Sequence, residues 1–163
     1  MAIIELPHSA GCLVCGHSNP LGLHLRLKVN TDDGVVQVEF IPKPEHIGFE
    51  GIIHGGVIAT IVDEAMVWAA TWSGKRFCVC GEMSVRFRES AEVGRRMIIM
   101  AKVDSARSKL IECSSIVMDD RGVISMASGK YLPVSPERHE AVMQTLVEEP
   151  VTVDAVKRLR DKK

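Results

Sequence analysis

Asp63 and Glu64 stand near the centre of a segment, Val57 to Ala70, that reads as a helix apolar on nearly every side. An unpaired buried carboxylate costs several kcal/mol, so the acid calls for a reason. His54-Gly55-Gly56 opens the same segment. Glycines at a helix start leave backbone N–H groups unpaired beside the positive end of the dipole, with no side chain to keep a ligand away. Such a place suits a carbonyl oxygen as it becomes an oxyanion. Asp63 then acts as the general base that activates water, or as the nucleophile at the carbonyl carbon. The plainer alternative is a structural acid that caps a partner backbone or pairs with an arginine. Glu64 lies about 100° further round the helix, which makes it the lesser candidate for the base. His54 has a supporting role, orienting the helix start, and Gly55 and Gly56 could also serve close packing against a sheet.

Gly55 and Asp63 are eight residues apart, which on one helix is about 12 Å. A single carbonyl group cannot touch both. If both act on one substrate, the acid comes from a second chain, and the expected particle is a dimer with two composite sites.

The elements that must hold these residues follow from periodicity. Leu23, Leu25, Leu27 and Val29 alternate with polar neighbours, Thr31-Asp32-Asp33-Gly34 makes a turn, and Val35 to Ile41 alternates again, so a hairpin is expected. Pro42 and Pro44 open an irregular segment that runs to Ile53. After the helix come four strands, Phe77–Arg88, Arg95–Ser105, Leu110–Met118 and Val123–Val134, whose short polar connections imply an antiparallel meander. A charged, helical tail follows Pro136 and is divided by Pro150. One helix that is apolar all round must be surrounded, and an antiparallel sheet curled about it does so: an α+β fold. The 163 residues make one domain, with its core over about 20–134 and a peripheral tail over about 136–163.

Composition excludes several classes. With 46% hydrophobic and 25% charged residues and a formal net charge of -1, there is no basic excess for a nucleic acid. The longest apolar run is broken by Asp63 and Glu64, so no membrane span is expected. The N-terminal MAIIELPHSAGC carries Glu5, Pro7 and His8 where an export signal needs an apolar core. Five cysteines without a signal point to reduced thiols in the cytoplasm.

The run GFEGIIHGGVIATIVDEAMVWAA resembles the signature of hotdog-fold thioesterases of the phenylacetate-pathway type. CLVCGHSNPLGLHLRL is similar to the opening of one branch of that superfamily, and GEMSVRFRESAEVG resembles the strand and turn after the helix. The likeness covers roughly residues 12–134. It implies a hotdog fold, side-by-side sheets in a homodimer, and often a pairing of dimers into tetramers. The implied activity is hydrolysis of an acyl group carried by coenzyme A or acyl carrier protein, without a cofactor. It also points to further site positions. Gly51 is retained, Gly48 stands where many relatives carry Asn, and Cys80 falls where relatives often have Ser or Thr. Rival readings are a hotdog hydratase or dehydratase and a non-catalytic acyl-CoA sensor.

An acyl or aryl chain would enter a slot lined by residues such as Ile58, Val62, Met66 and Trp68. The pantetheine arm would leave near Ser84, Arg86 and Arg88, with Arg88, Arg95, Arg107 and Lys109 as phosphate partners, although these cations equally suit a solvated face. Cys12-Leu13-Val14-Cys15 reads as structural thiols, and no metal is expected. A zinc site completed by His8, His17 or His24, or a redox dithiol, are the alternatives.

Overall fold

A computed structural model describes residues 2–161. The apolar segment Val57–Ala70 lies within α1 (Gly55–Gly74), a helix that ends near Ser73-Gly74 as its sequence predicts and begins two residues earlier than Val57. It begins one residue after His54 and stops where Lys75 turns left-handed at φ 51°. Ile58, Ile61, Val62, Ala65, Met66, Trp68, Ala69, Ala70, Thr71 and Trp72 are all buried, so most of the circumference is covered.

The strands are β1 (Ile3–Glu5), β2 (His8–Ser9), β3 (Leu27–Asn30), β4 (Val36–Phe40), β5 (Cys78–Phe87), β6 (Met97–Arg107), β7 (Leu110–Asp119), β8 (Gly122–Pro133) and β9 (Leu146–Val147). Seven form one sheet in the order β1-β3-β4-β6-β7-β8-β5, every neighbouring pair antiparallel, and β2 pairs with β9 apart from it. Alternate residues such as Val36, Val38 and Phe40 on β4 and Met97, Ile99 and Ala101 on β6 are buried toward α1. The sheet wraps the helix, as the apolar all-round segment requires.

Two expectations need correction. The four strands after the helix are not one meander: β6, β7 and β8 are, but β5 crosses to the far edge and, among the described residues, pairs only with β8. The first leg of the hairpin also begins late, at Leu27. The Leu23 and Leu25 N–H groups bond instead to the carbonyls of Leu13 and Val14, at 2.8 and 2.9 Å, and His24 between them is left-handed at φ 53°. Alternation of leucines reported the pairing but not the partner.

The tail comprises α2 (Pro136–Met143) and α3 (Val153–Arg160). His139 Nδ1 accepts from the Phe77 N–H at 3.1 Å, so Nε2 carries the proton and donates to the Leu159 carbonyl, also at 3.1 Å. Ala155, Val156 and Leu159 are buried, and the Arg158 guanidinium lies 4.3 Å from the Trp72 ring centroid. No described helix is long and apolar enough to cross a membrane, and all five cysteines are free thiols.

Candidate active site

The helix start is built by His54. Its backbone is extended (φ −58°, ψ 130°), and its Nδ1 accepts from the Gly56 N–H at 2.8 Å. One glycine amide expected to be open is therefore taken by the cap. The Gly55 N–H has no hydrogen-bond partner among the described residues. A Cβ on Gly55 would stand 3.3 Å from Phe87 Cζ, so the ring of Phe87 lies beside this glycine. Gly48 packs against the same corner: a Cβ there would lie 3.2 Å from His54 Cα, a tight approach. Gly51 has φ +71°, a conformation that favours glycine.

Asp63 lies two turns further along α1 and is half-buried. Its Oδ1 accepts from the Tyr131 hydroxyl at 2.9 Å. Tyr131 comes from β8 and faces Cys80 on β5 in the sheet register. Burial pushes the Tyr131 hydroxyl well above the ordinary tyrosine range, and the Asp63 charge and hydrogen bond add to it. Burial also raises the Cys80 thiol, with the same carboxylate contributing. Tyr131 thus stays protonated and donates, which keeps one oxygen of Asp63 fixed and the other available. A bulge between Cys80 and Glu82 re-aims the strand at this point.

Glu64 points elsewhere, as its angle on the helix requires. Its Oε1 accepts from Trp68 Nε1 at 3.0 Å and lies 3.8 Å from Cys12 Sγ. Burial pushes it up to about 7, and the neighbouring Cys12 adds to the shift.

The remaining predicted residues are spread out. Met66, Ile58, Val62 and Trp68 are buried within this chain's own core. Ser84 and Arg86 are exposed, while Met83 and Val85 of the same strand pack against the core, so the first pair faces away from α1. Arg88 follows β5, with its N–H on the Ile124 carbonyl at 2.9 Å, at the Phe87 end. Arg107 and Lys109 flank the β6–β7 turn, which the pairing of Ile111 with Tyr131 places at the Asp63 end of the sheet. Arg95 is engaged by Asp120 at 2.6 Å and by Glu92 at 3.5 Å. Tyr131 and Phe87 were missed by sequence reasoning. A signal for the first existed in Gly129: a Cβ there would meet the Tyr131 ring at 2.6 Å, and a mid-strand glycine marks such a close approach.

A thioesterase-superfamily profile matches residues 50–125, the span that contains His54, Gly55, Asp63 and Cys80. The chain has the hotdog fold, and this span, a little under half of its length, is similar to the thioesterase superfamily. Among solved hotdog structures, a thioesterase-superfamily crystal structure superposes with a TM-score of 0.69 at 22% identity, over 75% of this chain and 60% of the other. The PaaI protein of the E. coli phenylacetic acid degradation operon does so with a TM-score of 0.64 at 16% identity, over 69% and 81%. A Streptococcus mutans protein solved with acetyl CoA gives 0.63 at 17%, over 68% and 89%. Among curated proteins, the acyl-coenzyme A thioesterase THEM4 of Bos taurus is 22% identical over 125 residues, 76% of this chain and 51% of that protein. An Archaeoglobus fulgidus protein with a provisional esterase name is 30% identical over 70 residues, 43% of this chain and 45% of its own length. The chain spans about half the length of the curated relatives it matches.

Proposed function

We propose that this hotdog protein hydrolyses acyl-CoA thioesters as a homodimer, with Asp63 of one chain and the Gly55 amide of the other acting on one carbonyl. The observation that carries this reading is a division of labour on α1. A held carboxylate lies at Asp63 and an open amide at Gly55, separated by about 12 Å along one helix.

The sheet offers a way to bring two such helices together. β5 is ten residues long, lies at the sheet edge and is paired only with β8. A long unpaired edge invites another strand. Antiparallel pairing of two β5 strands about their middle, between Glu82 and Met83, would set the Cys80 end of one against the Phe87 end of the other. Asp63 belongs to the first end and Gly55 to the second, so each chain would supply what the other lacks. A further pairing of dimers is compatible with this arrangement.

In the proposed reaction Asp63 takes a proton from water as the water oxygen attacks the thioester carbon. The carbonyl oxygen becomes an oxyanion on the partner's Gly55 N–H, helped by the helix dipole. Collapse breaks the carbon–sulfur bond and returns the proton from Asp63 to the departing thiolate, leaving a carboxylic acid and coenzyme A. Direct attack by Asp63, giving an anhydride that water then opens, uses the same geometry. Tyr131 positions the acid, and Cys80 stands where a second weak donor to it or to water is useful. Coenzyme A is part of the substrate, and neither route needs a cofactor. Arg107 and Lys109, at the Asp63 end, are candidates for its phosphates. The acetyl CoA held by the Streptococcus mutans relative supports this choice of carrier.

The test is thiol release from short-chain, long-chain and aryl acyl-CoAs by the native protein and by Asp63→Asn. Release that falls by orders of magnitude in the variant supports hydrolysis by this acid. Absence of release from every substrate, or equal rates, overturns it in favour of a binding protein with a structural Asp63.

A further inference from the structure

Cys12, Cys15 and Glu64 have no part in that reaction, yet their ligand atoms all lie within 4.8 Å of one another. The cysteines come from the loop after β2 and the glutamate from the middle of α1. We propose that these three side chains bind a thiophilic divalent cation of the zinc class, which clamps the N-terminal segment to the central helix.

The loop is shaped for such an ion. The N–H groups of Val14 and Cys15 both point at Cys12 Sγ, at 3.4 and 3.5 Å. Backbone N–H groups aimed at one sulfur favour its thiolate, the form that ligates metal. Gly16 closes the turn, and no other residue fits: a Cβ there would fall 2.4 Å from the Cys12 nitrogen and 2.5 Å from the Ala10 carbonyl oxygen.

The carboxylate completes the set. Cys12 Sγ and Glu64 Oε1 are 3.8 Å apart, close to the edge of about 3.5 Å that a tetrahedral zinc with usual Zn–S and Zn–O lengths requires. Trp68 Nε1–H holds that oxygen at 3.0 Å, as an outer-shell donor holds a ligating carboxylate. A disulfide would use both sulfurs and leave the glutamate unexplained. A pair of plain thiols would leave unexplained why an acid is turned toward them in an apolar helix. A divalent cation takes all three and compensates their charge. Two thiolates, one carboxylate and a position left to water make four ligands. His8, His17 and His24, the partners that sequence spacing suggested, are not in the cluster.

The experiment is zinc analysis of the full chain, reduced, loaded with Zn²⁺ and dialysed, together with zinc-edge X-ray absorption and the spectrum of the Co²⁺ form. The expected result is about one zinc per chain with two sulfur neighbours at about 2.3 Å, and a sulfur-to-cobalt charge-transfer band. Cys12→Ser/Cys15→Ser should abolish retention. Glu64→Gln, which removes no thiol, should weaken it at least roughly ten-fold, the loss that even an outer-shell partner can bring. No zinc retained by the native chain, zinc bound without sulfur, or a Cys12–Cys15 disulfide that excludes zinc would each overturn the proposal, whatever the variants do.

Discussion

The Tyr131 hydroxyl donates to Asp63 Oδ1 at 2.9 Å from a side chain with no exposure of its own. A buried phenol and a half-buried carboxylate so arranged form one unit: the phenol keeps its proton, and the acid keeps its orientation.

Tyr131→Phe removes that donor and little else. A hydrogen bond to a charged group contributes about 1.5–3 kcal/mol, and about 1.4 kcal/mol is tenfold in rate. If the bond is needed to aim Asp63, kcat should fall about ten-fold or more with KM nearly unchanged. Steady-state kinetics on the best acyl-CoA decides, and an unaltered kcat would reduce Tyr131 to a packing residue.

His54→Ala addresses the helix start. Loss of an N-cap costs about 1 kcal/mol, which for a chain of this size lowers Tm by about 2–4 °C. Thermal unfolding should show that decrease. Activity should fall further than stability does, because the cap that engages the Gly56 N–H also sets the direction of the adjacent Gly55 amide.

Acid sensitivity should come in part from Asp119. Desolvation pushes its carboxyl up, but hydrogen bonds from Arg121 and the nearby Arg95 outweigh this and hold it below the usual carboxylate value. A lowered folded pKa contributes stability that is present above the unfolded value, about 3.9, and is lost as pH falls through the folded one. Both arginines are solvated, so the contribution is at most about 1 kcal/mol. In urea titrations Asp119→Asn should be the less stable protein at pH 7, and the gap should close below about pH 4. A gap independent of pH would contradict this assignment.

Much of the frame was legible because single elements obey local rules. The apolar helix and the four strands that follow it, β5 to β8, were expected within a few residues of where they lie, since alternation and polar turns mark them. Strand order was not legible. β5 follows α1 yet pairs with β8, a choice made by how the sheet closes over the helix rather than by any residue of β5. β1 escaped notice because three residues are too few for a period.

The site divides in the same way. His54 and Gly55 at the start of one helix and Asp63 two turns further along it can be read from spacing. Tyr131 and Cys80 reach Asp63 only through a strand register. Glu64 meets Cys12 and Cys15 only because the N-terminal loop folds back over α1, a contact 52 residues apart in sequence for Cys12.

The central claim is that each site draws on two chains, and a mixing experiment tests it most directly. Gly55→Pro deletes the N–H assigned to the oxyanion. Proline is tolerated at the first helical position, and His54 already has the extended backbone that precedes it. Asp63→Asn deletes the acid. Each variant alone should be inactive toward acyl-CoA. Unfolded together and refolded into mixed dimers, they should regain thiol release, because one site of each hybrid again combines an intact Gly55 with an intact Asp63. Mixed dimers as inactive as their parents, with hybrid formation verified by mass spectrometry, would contradict the account.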